Sequence, residues 1–104
     1  MNFYGDGKPT RAIVLMTAGR SHPKTGLIVA HKIGTEWQTE ILEVFEGVGP
    51  APVVWGEGPG TYDDLSEPKT IHAKNPVIIF CGYEAWARLY AWTGKRVEFV
   101  QISD

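Results

Sequence analysis

The sequence predicts an α+β fold: a mixed sheet of four to five strands with two helices packed on one face. Three observations carry this. Trp37, Ile41, Val44 and Phe45 stand at i, i+4, i+7 and i+8, the spacing of one helical stripe. Trp86, Leu89, Tyr90 and Thr93, at i, i+3, i+4 and i+7, share a second helical face near the end of the chain. Between them, Val77, Ile78, Ile79 and Phe80 form an unbroken apolar run, the mark of a strand covered on both faces.

Residues 1–10 read as a polar lead segment carrying two aromatics, Phe3 and Tyr4. Residues 11–17 are the first strand. Ala12, Val14 and Met16 fall on one side, and Ile13, Leu15 and Thr17 on the other. Both sides are largely apolar, which places this strand centrally. Gly, Ser and Pro make residues 18–26 a loop. A second strand follows over 27–33, with Leu27, Val29, His31 and Ile33 on one face.

Residues 35–47 are the first predicted helix. Thr35 and Gln38 match a capping box, and Gly47 stands where a helix stops. A hairpin returning through Gly34-Thr35 competes with it, but strand alternation fails at Ile41-Leu42 and Val44-Phe45.

Residues 46–76 form a long Gly/Pro-rich and polar loop region, in which 53–55 and 70–72 are the candidates for short strands. Cys81-Gly82 turns the chain into the second helix, residues 83–93. There Glu84 can pair with Arg88, and Gly94, Lys95 and Arg96 suit the helix end. A last strand spans 97–102. Strand–helix–strand order calls for a parallel pair joined by a right-handed crossover. The chain reads as a single domain, residues 1–104, with Trp37, Ile41, Phe45, Val77, Ile79, Trp86, Leu89 and Phe99 in the core.

Composition narrows the function classes. The chain has 104 residues, of which 43% are AVILMFWYC, 12% aromatic and 21% charged, a composition that folds. A net charge of −2 argues against direct nucleic-acid binding, which normally needs a basic face. The one cysteine rules out an internal disulfide and suits a reducing, cytoplasmic setting. Residues 1–10 lack the apolar segment of a signal peptide, and no apolar run reaches membrane-spanning length, so no membrane association is expected.

Catalytic and cofactor chemistry finds little support. Cys81 at a strand-to-helix corner could be an activated thiol with His22, His31 or His72 as base, but a free Cys after four apolar residues reads as a small buried hydrophobe. The three His and one Cys have no metal-ligand spacing. In Gly56-Glu57-Gly58-Pro59-Gly60, Pro59 removes a donor and Glu57 repels phosphate, so no phosphate loop is expected. No catalytic residue, metal or cofactor is assigned.

Two features remain. Glu36, Glu40, Glu43 and Glu46 fall on one face of the first predicted helix, and Asp63 and Asp64 add to the acidity. Such a row repels itself, and a basic partner would relieve it. Trp55 and Tyr62 sit in the long loop, and both residue types are enriched at binding hot spots. The expected function is therefore a small intracellular protein-binding accessory or inhibitor. In size and composition it is comparable to phage proteins that block host systems. The expected site is Glu36, Glu40, Glu43, Glu46, Trp55, Tyr62, Asp63 and Asp64, and the expected partner is another protein with a basic surface. The alternatives are a small enzyme or ligand-binding protein using the Cys81–Gly82 corner, and a structural subunit of a larger assembly.

Overall fold

The computed structural model describes residues 1–17, 23–46, 52–82 and 86–103. Nine strands in three antiparallel sheets make up the described architecture: β1 (Thr10–Met16), β2 (Lys24–Ile33), β3 (Glu36–Glu46), β4 (Pro52–Glu57), β5 (Gly60–Asp63), β6 (Thr70–Ala73), β7 (Val77–Gly82), β8 (Trp86–Trp92) and β9 (Val97–Ser103). No helix occurs among the described residues, so the α+β expectation is corrected to all-β.

The layers follow from which strand faces are apolar. The central sheet has the order β4-β7-β8-β9. On one side it meets the sheet β1-β2-β3 through Phe3, Leu27, Val29, Ile78, Phe80 and Tyr90. On the other side the β5-β6 hairpin brings Ile71 and Ala73 onto Val77, Ile79, Leu89, Ala91 and Val100. β7 is thus covered on both faces, as its continuous apolar run requires. Phe3 in the lead segment is fully buried; its backbone N–H donates to Thr10 Oγ1 at 3.3 Å.

Both predicted helices are strands, for physical reasons that can be named. β2 and β3 join through the two-residue turn Gly34-Thr35, with Ile33 opposite Glu36. Gly34 has φ +65°, a conformation that favours glycine. Further along, Ile28 pairs with Ile41 but Leu27 pairs with Glu43, so Leu42 is the extra residue of a β-bulge. A bulge shifts the alternation by one. Trp37, Ile41 and Val44 therefore share one strand face at spacings of four and three, which is also the spacing of a helical stripe. The failed alternation at Ile41-Leu42 is the bulge itself.

The second stripe misleads differently. β8 alternates without a break: Trp86, Tyr90 and Trp92 pack toward the first sheet, while Leu89 and Ala91 pack toward the hairpin. Apolar residues on both faces of a central strand fill a helical projection as readily as a strand. The strand–helix–strand crossover is replaced by the antiparallel meander β7-β8-β9. Gly82 is no turn; it closes β7 opposite Trp86, whose indole Nε1 lies 2.7 Å from where a Cβ would stand.

The core expectation holds for Val77, Ile79 and Leu89, and Phe45 and Trp86 pack half-buried at its margin. It is corrected for Trp37, Ile41 and Phe99, which are exposed: the first two lie on the outer face of the first sheet, and Phe99 on the edge strand β9. The loop region 46–76 holds β4, β5 and β6. Among the described residues, no helix is long and apolar enough to cross a membrane.

Candidate functional site

The first sheet turns one face to the core and the other to solvent. Alternation sends Thr25, Leu27 and Val29 of β2 inward, and Lys24, Gly26, Ile28, Ala30 and Lys32 outward. Strand pairing then sets the outer face row by row. Ile13, Ile28 and Ile41 lie side by side across the three strands. Leu15, Gly26 and Val44 form the next row. Arg11, Ala30 and Thr39 lie on the opposite side of the isoleucines, with Lys32 and Trp37 beyond them.

The outer rows are apolar in the middle and wet. Ile41 is 63% exposed and Leu15 54%, and Ile13, Val44 and Trp37 are also exposed. Gly26 leaves a hollow between Leu15 and Val44; a Cβ there would meet only ordinary contacts at 3.7 Å or more. Cations occupy both ends of the central strand. The Arg11 guanidinium stands 5.5 Å from the Trp37 ring and Lys32 Nζ stands 5.7 Å from it, both within cation–π range. Lys24 lies opposite Glu46 at the other end. Isolated exposed hydrophobics need no explanation, but a contiguous group with a polar margin is what binding surfaces show.

The four glutamates singled out from sequence all lie on β3 but serve separate places. Glu40 faces the core side and accepts a hydrogen bond from the Tyr4 hydroxyl at 3.1 Å. Burial, and then that carboxylate, push the Tyr4 hydroxyl up to about 12. Glu43 is largely buried, paired with Arg88 and accepting from the Tyr90 hydroxyl. Burial pushes Tyr90 up to about 12 against the opposing pull of Arg88. Glu36 is exposed beside the Gly34-Thr35 turn, and Glu46 faces Lys24. With no helix, the four share no helical face.

Trp55 lies on β4, exposed on the hairpin side of the central sheet, its indole N–H donating to Glu57 at 2.9 Å. Tyr62 packs against the hairpin core and donates to the Gly58 carbonyl at 2.7 Å. Asp63 accepts from the Thr70 hydroxyl at 2.6 Å. Asp64 accepts from the backbone N–H groups of Gln101, Ser66 and Glu67, which hold its carboxyl down to about 2. The two aspartates thus brace the hairpin.

Two further groupings bear on chemistry. Tyr4, His31, Gln38, Thr39, Glu40 and Trp92 line a surface cleft. Tyr4 meets His31 and Trp92 edge to face at 4.6 and 5.1 Å, and His31 Nε2 lies 2.8 Å from Asp6. The rings of His31 and Trp92 both pack on Tyr4. Cys81 is half-buried on β7, opposite Val53 and Ala87. His22 lies outside the described residues, and His31 and His72 contact Asp6 and Thr61. Among the described residues, no three His, Cys, Asp or Glu side chains gather as a metal site would need.

No family model, curated protein or solved structure matches the chain.

Sequence reasoning missed the outer face. Its signal was present in residues 11–17, where both sides are apolar. Central placement explains that pattern equally well, and only the pairing of Arg11, Ile13 and Leu15 with their neighbours separates the two.

Proposed function

We propose that the chain is a protein-binding domain, an accessory or inhibitory protein that docks through the outer face of the β1-β2-β3 sheet. One observation carries this reading: five large apolar side chains, Ile13, Leu15, Ile28, Ile41 and Val44, stand in adjacent rows on a solvent-facing sheet. Burying such a face stabilises a complex by roughly 25 cal/mol per Å² of apolar surface before association costs are met. Trp37 supplies an aromatic anchor at one end. Its flanking cations resist burial without a charged counterpart, which gives the face direction.

The test compares two glutamate substitutions at exposed apolar positions. Ile41→Glu lies in the middle of the face, and Val53→Glu lies on β4 of the central sheet. Both should melt within a few degrees of the wild type. A stoichiometric partner captured by the wild type and by Val53→Glu, but lost with Ile41→Glu, supports the reading. Equal capture by all three removes it.

A further inference from the structure

The outer face does more than mark a docking surface; its width and charge select an occupant. We infer that it receives an amphipathic helix of another protein, with an apolar stripe flanked by carboxylates. The inference rests on the reading of this face as the docking surface.

Width is the first argument. Three strands spaced about 4.8 Å apart span about 10 Å, the breadth of one helix with its side chains. The central strand from Lys24 to Lys32 extends over roughly 27 Å at about 3.4 Å per residue. A helix of about 18 residues covers that length. Its stripe would lie along Ile28, with Gly26 as the low point of the floor and Ile13, Leu15, Ile41 and Val44 as the walls.

Charge is the second. Among the described residues, the outer face carries Arg11, Lys24 and Lys32 against the one carboxylate of Glu46, a local excess of two positive charges in a chain of net charge −2. This opposes a second copy as occupant. Stacking two such faces about a two-fold axis along the strands sets Lys32 over Lys32 and Lys24 over Lys24. An axis across the strands sets Lys32 over Lys24. The first arrangement brings the Arg11 and Lys32 ends of both copies together, and the second sets them over the neutral Lys24–Glu46 pair, so neither supplies an excess of negative charge. A helix with carboxylates beside its stripe meets the excess at Arg11 and Lys32, while Lys24 has Glu46 beside it.

Two synthetic peptides of about 18 residues test this directly. They share one leucine stripe and differ only in the flanking positions, Glu in one and Lys in the other. Binding is read by fluorescence anisotropy at low salt. The Glu-flanked peptide should bind at least about tenfold more tightly than the Lys-flanked one, and the gap should close at high salt, where exposed charges are screened. Arg11→Glu combined with Lys32→Glu should erase or reverse the preference, and Ile41→Glu should abolish binding of both peptides.

Equal binding of the two peptides, still lost with Ile41→Glu, would overturn the acidic helix while leaving the face a docking surface. So would a concentration-dependent wild-type dimer dispersed by Ile41→Glu, which names a second copy. Co-flotation with phosphatidylserine vesicles but no peptide binding would name a lipid surface instead. Peptide binding indifferent to Ile41→Glu would overturn both the inference and the reading it rests on.

Discussion

β1 and β7 look alike as text and differ in what covers them. Each is a short run with apolar residues on both sides of the strand. β7 lies inside the central sheet, with the first sheet on one face and the hairpin on the other, and Val77, Ile78, Ile79 and Phe80 are all buried. β1 lies at the edge of the first sheet, with Ala12 and Val14 against the core and Ile13 and Leu15 in water. An apolar second face is therefore explained by a covering layer in one place and left unexplained by the fold in the other. The neighbours make the difference visible: the open face is bordered by Arg11, Lys24 and Lys32, whereas β7 contains no charged residue.

The largest effects belong to the covered region. Leu89 is fully buried on the hairpin side of the central sheet. Leu89→Ala should cost about 2–5 kcal/mol, read from urea denaturation midpoints at constant slope. A loss under about 1 kcal/mol would show that the hairpin does not close over the central sheet, and the contrast between the two faces would collapse.

Next comes the polar contact joining the two sheets. Glu43 links β3 to β8 through Arg88 and Tyr90. Glu43→Ala leaves a guanidinium and a hydroxyl without their partner, so about 1–3 kcal/mol should be lost. Arg88 keeps its hydrogen bond to Gln101 at 3.0 Å and its stacking on Trp86, which limits the damage. Glu36→Ala, at an exposed strand end, should be close to silent by the same measurement.

A pH effect follows from the burial of two tyrosines. Tyr4 and Tyr90 are held at about 12 in the folded chain against an ordinary value of 10. A group whose ionisation is deferred by folding contributes stability that is complete below its unfolded value and is lost as pH rises through its folded value. The contribution of the two tyrosines should therefore be level up to about pH 10 and fall between pH 10 and 12. Absorbance at the tyrosinate band, followed beside urea denaturation, checks this. Ionisation of every tyrosine near pH 10 with unchanged stability would refute it.

How much of this was legible in the sequence depended on whether a residue's period identified its element. The β7 run and the buried Val77, Ile79 and Leu89 were readable because a long apolar patch has few places to go. β3 was not, because the Leu42 bulge converts a period of two into spacings of four and three that match a helix. β8 was not, because burial on both faces removes the polar half of the alternation. The acidic residues were visible as residues, but their neighbours were not. Nothing near Glu43 in the chain announces Arg88 and Tyr90, 45 and 47 residues away. The open face was hidden for a related reason: it depends on which strands pair and on which sheet face lacks a layer, and local pattern carries neither.

The smallest expected effect is the sharpest test of the comparison. Ile41 and Ile79 are the same side chain on two strands, one 63% and the other 3% exposed. Threonine keeps the β-branch and hence the strand preference, and adds a hydroxyl. At position 79 that hydroxyl replaces the buried ethyl arm between the central sheet and the hairpin, so Ile79→Thr should destabilise by about 2 kcal/mol or more. At position 41 water already reaches the side chain. Ile41→Thr should therefore change stability by no more than about 0.5 kcal/mol. Its cost should appear only in binding, because the fold places no partner on that face among the described residues. Comparable destabilisation at the two positions would mean that Ile41 is covered within this chain, and the first sheet would have no open face to offer. A silent Ile41→Thr melt together with weakened peptide binding would assign the apolar rows to docking alone.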